Sequence, residues 1–240
     1  MLLAGSLPDS DEGWIGAFAD GFFKCAKRYG ADVIGGDTTR GPRNLCVTAI
    51  GELPAGAALR RDGAKADDDI WVSGQPGLAA LGLAHLQGKT TLPEPLARRC
   101  VTALQRPLPR IELGQKLRGQ ANSAIDVSDG LLADLGHILE RSGLAANLNE
   151  GQFPLIPPGS EPKLAREAQL GGGDDYELCF TTPITLRQQV VMLAAELDLP
   201  LWRIGYTVAA SDGRPAGDIL LTDADGKPLP LPKKGFDHFG

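Results

Sequence analysis

Ser123-Ala-Ile-Asp-Val-Ser-Asp-Gly-Leu-Leu-Ala-Asp-Leu-Gly-His-Ile-Leu139 is the stretch whose reading decides the fold. Its first half reads as a short buried strand, with β-branched Ile125 and Val127. Its second half reads as an amphipathic helix. Leu131, Leu132, Leu135, Ile138 and Leu139 fall at i, i+1, i+4, i+7 and i+8, one face of a 3.6-residue period. Between the two lies Asp126-Val-Ser-Asp-Gly130. Ser128 or Asp129 can cap the helix, and Gly130 allows a tight turn. Two carboxylates, a hydroxyl and helix-start amides then share one strand-to-helix corner. In open α/β sheets such a corner is where ligands sit. Carboxylates repel a phosphate there unless Mg²⁺ lies between, and Mg²⁺ is held by a few hard oxygens together with substrate phosphates. The alternative reading makes both aspartates cap and turn residues.

Outward from this stretch, helices and strands alternate, so the class is mixed α/β. Upstream, residues 11–29 carry the apolar stripe Trp14, Ile15, Phe18, Phe22 and Cys25, which reads as a helix packed on a core. A strand is expected at residues 31–34, then a loop carrying Gly35-Gly-Asp-Thr-Thr-Arg-Gly-Pro42, then a strand at 45–50. Residues 52–69 are rich in Pro, Gly, Ala and charge. A domain boundary falls inside them, dividing the chain into residues 1–56 and 57–240. Beyond it we expect a strand from Asp69, a helix through Leu78 to Leu86, and two helices over 94–119 broken at Arg106-Pro-Leu-Pro109. Arg60, Arg61 and Lys65 form a small basic cluster, a solvated face or a phosphate-steering patch. Downstream come a strand at 144–148, a short helix at 162–169, a strand after Glu177, a helix at 185–198, and strands at 201–207 and 218–222.

The bulk properties narrow the partners. A formal charge of -6 argues against a nucleic-acid surface and against attachment to anionic lipid. No window approaches a transmembrane span, and the first residues lack the basic region of a signal peptide. Cys25, Cys46, Cys100 and Cys179 have no metal-ligand spacing and read as free thiols in a reducing compartment, mostly core filler. The protein is therefore expected in the cytoplasm.

Three segments share one composition: Gly35-Gly-Asp37, Asp126 to Gly130, and Gly171-Gly-Gly-Asp-Asp175. Glycine lets a backbone approach a ligand closely, and aspartate offers hard ligands for Mg²⁺. Together the segments supply Asp37, Asp126, Asp129, Asp174 and Asp175, and Arg40 adds a planar fork suited to phosphate oxygens. There is no Walker A pattern and no dinucleotide-type glycine motif.

Gly35-Gly-Asp-Thr-Thr-Arg-Gly-Pro42, Ala124-Ile-Asp-Val-Ser-Asp-Gly-Leu131, Gly172-Gly-Asp-Asp-Tyr-Glu-Leu178 and Gly235-Phe-Asp-His-Phe239 resemble the thiamine-monophosphate kinase family in order and separation. Aminoimidazole ribonucleotide synthetase and selenophosphate synthetase, of the same superfamily, carry variants of the second element alone. The resemblance implies a two-domain architecture like that of aminoimidazole ribonucleotide synthetase, with mixed sheets. In it residues 1–56 are a partial N-terminal domain for ATP binding and dimerisation. It implies ATP- and Mg²⁺-dependent conversion of thiamine monophosphate to thiamine diphosphate by a cytoplasmic homodimer, with no nucleic-acid or membrane partner. It assigns Asp126 and Asp129 as catalytic Mg²⁺ ligands, Ser128 and Arg40 as ATP contacts, Asp174 as a substrate contact, and Phe236 as a packing surface for the thiamine rings. The chain departs from the family pattern twice. Asp174 stands where the family has Glu, one methylene longer. Family members also carry a further acidic segment ahead of the equivalent of Trp14, and nothing here matches it.

Overall fold

The computed structural model describes residues 1–232, which separate into two compact units that divide between Ala55 and Gly56. In the first unit, β1 (Leu2–Leu7) is the middle strand of three. It pairs in parallel with β2 (Gly35–Arg40) and antiparallel with β3 (Asn44–Thr48). The helix α1 (Glu12–Arg28) connects β1 to β2, and the Asp11 side chain caps it by accepting the Trp14 N–H at 3.1 Å.

Three expectations need correction in this unit. Residues 31–34 are not a strand; the strand is the glycine–acid segment itself, Gly35–Arg40. The cause is β1, whose paired backbone draws that segment into register, Leu3 opposite Gly36. A Cβ on Gly36 would collide with the Leu3 carbonyl oxygen, so glycine here admits a neighbouring strand. The aromatic stripe of α1 is also not core. Trp14, Phe18 and Phe22 stack along the helix at 5.3 and 5.9 Å, half-buried, while Ile15 and Cys25 are exposed. Finally, Cys46 is exposed too, so only Cys100 and Cys179 fill cores.

The second unit is built on a six-stranded mixed sheet. Its strands are β4 (Asp69–Ser73), β5 (Ser123–Val127), β6 (Leu144–Asn149), β7 (Glu177–Thr182), β8 (Leu201–Ala209) and β9 (Ile219–Thr222), in the order β5-β7-β4-β8-β6-β9. All neighbours are antiparallel except β6 and β9. The period-2 alternation sends side chains to two cores. Ile70, Val72, Ile125, Val127 and Cys179 face one side, against α5 (Leu131–Ser142). Trp71, Ala124 and Phe180 face the other, against α4 (Ile111–Leu117) and α7 (Arg187–Glu196). A third cluster joins α2 (Leu78–Leu86), α3 (Glu94–Gln105) and α6 (Pro162–Gly171). Leu131, Leu132, Leu135, Ile138 and Leu139 are all fully buried. At ~1.5–3 kcal/mol each, their burial fixes α5 on the sheet and so fixes the corner that precedes it.

Candidate active site

At the end of β5, Asp126 is the one exposed residue of the strand, paired across the ladder with Leu178. The chain then turns at Gly130, whose φ is 118°. A Cβ there would lie 2.7 Å from the Gly171 carbonyl oxygen, so both conformation and space require glycine. Neither Ser128 nor Asp129 caps α5. Gly130 is the N-cap residue, and no side chain caps the helix. Asp134 reaches back and accepts the N–H groups of Ser128 at 3.0 Å and Asp129 at 3.1 Å. Burial raises the Asp134 pKa against the pull of those two amides, and the charges of Asp129 and Asp126 push the same way. Asp134 thus pins the turn by its backbone amides, and the Ser128 hydroxyl and Asp129 carboxylate are left for other work.

The loop from α6 to β7 closes against this corner backbone to backbone. Asp174 N–H donates to the Ser128 carbonyl at 2.9 Å, and Tyr176 N–H donates to the Val127 carbonyl at 2.8 Å. A Cβ on Gly173 would collide with the Ser128 carbonyl oxygen. Asp174 and Tyr176 are both left-handed, at φ 65° and 51°. With Asp174 left-handed, the two neighbouring acids part. Asp175 leaves the site altogether, which corrects its expected place among the ligand acids. Its carboxylate accepts Gly77 N–H at 2.6 Å and Ala79 N–H at 3.1 Å, capping the start of α2. Burial pushes its pKa up to about 7, opposed by those two amides and helped by the charges of Glu177 and Asp174. Glu177 is structural too. Arg110 grips it through two hydrogen bonds, of 2.7 and 2.5 Å, and Ser73 Oγ donates to it at 2.5 Å.

Among the described residues, the carboxylates of Asp126, Asp129 and Asp174 and the Ser128 hydroxyl have no hydrogen-bond or ion-pair partner. They form a ridge between two cavities. Asp126 lines an open cavity of about 1000 Å³ together with Arg61, Arg110, Arg141 and Tyr176. Ser128, Asp129, Asp174 and Lys89 line a second, of about 440 Å³, walled by Ala80 and Leu83 of α2. Arg110 is held by Glu177 and Arg60 by Asp62, but the Arg61 and Arg141 side chains make no hydrogen bond or ion pair among the described residues. No group of three or more His, Cys, Asp or Glu converges on one metal position among those residues. Mg²⁺ asks for less, one or two carboxylates completed by water and substrate phosphate. Asp126 and Asp129 fit that donor set.

Arg40 belongs to the N-terminal unit, where it lines a recess of about 440 Å³ with Ser10, Thr38 and Thr39. Asp37, on the same strand, accepts the N–H of its neighbour Thr38 at 2.9 Å. Phe236 lies outside the described residues. Sequence reasoning missed Arg141 and Tyr176 and left Arg61 undecided. The signal for Arg61 was present in the Arg60–Arg61 pair, and Tyr176 stood inside a quoted motif. Arg141 is at the far end of α5, where nothing in sequence points to a cavity.

No helix among the described residues is long and apolar enough to cross a membrane. Residues 65–217 match the family described as AIR synthase related protein, C-terminal domain, and residues 1–53 match its N-terminal domain. The thiamine-monophosphate kinase of Escherichia coli K12 is 42% identical over 243 residues, covering 100% of this chain and 73% of that protein. The crystal structure of thiamine-monophosphate kinase from Stenotrophomonas maltophilia K279a superposes with a TM-score of 0.84 at 44% identity, covering 95% of this chain and 72% of that one. A structure of AaThiL complexed with AMPPCP and TMP gives 0.74 at 25% identity, over 99% and 72%.

Proposed function

We propose a function from one established premise: the chain belongs to the thiamine-monophosphate kinase family. It is a phosphotransferase that moves the γ-phosphoryl group of ATP onto the phosphate of thiamine monophosphate. An oxygen of the acceptor phosphate attacks the γ-phosphorus in line. The bond from that phosphorus to the β,γ-bridging oxygen breaks, and ADP leaves with the electron pair. Such transfer needs positioning and charge neutralisation more than a covalent nucleophile. The observation that carries the reading is the ridge of carboxylates without protein partners beside a cavity with two unpaired guanidinium groups.

Arg61 and Arg141 take the nucleotide phosphates, since a guanidinium fork matches phosphate oxygens. Asp126 and Asp129 hold Mg²⁺, which when bound neutralises phosphate charge developing in the transition state. Ser128 contacts ATP from the ridge. Asp174 meets the acceptor in the smaller cavity, where its short side chain leaves more room than a glutamate. Arg40 as an ATP contact and Phe236 as a thiamine contact stand on their sequence motifs alone.

We place the enzyme in the cytoplasm, in keeping with four free cysteines and an acidic charge. We infer a homodimer, supported by the exposed strands β2 and β3 and the uncovered aromatic ladder of α1. The test is direct: thiamine monophosphate, ATP and Mg²⁺ are mixed with the chain, and thiamine diphosphate is measured by chromatography. Product that depends on all three supports the reading. Its absence, with ATP binding intact, overturns it.

A further inference from the structure

Tyr176 is the residue of the glycine-rich loop to which the kinase reading gives no task. Its backbone is left-handed, at φ 51°. For a bulky L-residue that is an outlier, costing on the order of 1–2 kcal/mol against a glycine at the same place. Glycines precede it at 171, 172 and 173, so this loop has ready access to the residue that would relieve the strain. The strain therefore points to the side chain as what the position keeps.

The side chain stands in the larger cavity, with Asp126, Arg61 and Arg141. The residue is 42% exposed, and its phenol has no hydrogen-bond partner among the described residues. Partial burial raises the phenol pKa, and the charges of Asp174, Asp126 and Asp129 raise it further. Tyr176 is thus held as a neutral O–H, a donor that an anion can approach without repulsion. The arginines that share its cavity call for an anion rather than a base or a sugar.

We propose that Tyr176 is a nucleotide-binding residue whose phenolic O–H donates a hydrogen bond to a non-bridging phosphate oxygen of the nucleotide in the arginine-lined cavity. This rests on the kinase reading, in which that cavity takes the donor phosphates.

Calorimetric titration of the full chain tests it with two probes, the Mg²⁺ complex of a β,γ-methylene ATP analogue and the Mg²⁺ complex of inorganic tripolyphosphate. Tyr176→Phe removes one oxygen. A lost hydrogen bond to a charged acceptor should weaken both probes about tenfold to a hundredfold. Tyr176→Gly, which also releases the backbone strain, should weaken both at least as much without lowering the thermal midpoint. It serves as the reporter if the Phe variant does not fold. Unchanged affinity for tripolyphosphate overturns the proposal. If the nucleotide analogue alone weakens, the ring packs on the base and the phosphate contact is refuted. Failure of the kinase reading shows separately, as an unaltered chain that binds both probes yet forms no thiamine diphosphate. An unaltered chain that binds neither probe refutes both.

Discussion

The first glycine–acid segment and the pair formed by the second and third have the same composition and different structures. In the first, Gly36 makes room for a parallel strand, and Asp37 accepts the amide of the residue beside it. In the pair, Gly130 and Gly173 make room for each other's loops, and the acids between them are left open. Glycine beside aspartate announces a close approach of backbone. What approaches is settled by topology, a neighbouring strand in one case and a second loop in the other.

The largest effect expected from breaking this contrast is on catalysis. Asp126→Asn or Asp129→Asn should lower kcat by about 10²–10³-fold, the range for losing one preorganised electrostatic contact. The thermal midpoint should not fall, because neither carboxylate supports the fold. A midpoint loss matching the activity loss would return both residues to a structural role. Gly173→Ala attacks the packing instead. Its Cβ collides with a backbone carbonyl that cannot move alone, so urea denaturation should show a loss of ~2–4 kcal/mol. A neutral result would mean that the two loops are not closed on each other. Asp134→Ala removes the acceptor for two amides at the corner and should cost ~1–3 kcal/mol, the penalty for leaving a shielded donor unsatisfied. Activity should fall with it, since Ser128 and Asp129 lose their anchor. Gly136→Ala sharpens the comparison from the other side. This helical glycine has nothing within 4 Å of a built Cβ. Alanine there should stabilise the chain by ~0.5–1 kcal/mol and leave activity alone.

Much of the second unit was legible because its signals were local and periodic. The five buried apolar residues of α5 stood at helical spacing, and Leu178 to Thr181 alternated as a strand must. The first unit resisted. β1 becomes a strand only through partners far off in sequence, β2 some thirty residues away and β3 about forty. The same limit hid the pinning of the turn. An acceptor six residues downstream, Asp134 for the Ser128 amide, leaves no mark that distinguishes it from an ordinary helical aspartate. Asp174 and Asp175 were indistinguishable in sequence for a similar reason. A left-handed turn at Asp174 parts the two, leaving Asp174 open at the corner while Asp175 caps a helix nearly a hundred residues upstream.

Asp175 has one more consequence. A carboxyl that titrates near 3.8 in the unfolded chain and near 7 in the folded one binds protons more tightly after folding. Around pH 5.5 the refolding chain therefore draws about one proton from its buffer through this group alone, and its contribution to stability shrinks as pH rises from 4 through 7. The heat of refolding should then vary with the ionisation heat of the buffer, and Asp175→Asn should weaken that dependence. Hydronium behaves, in effect, as a ligand that favours the assembled loop.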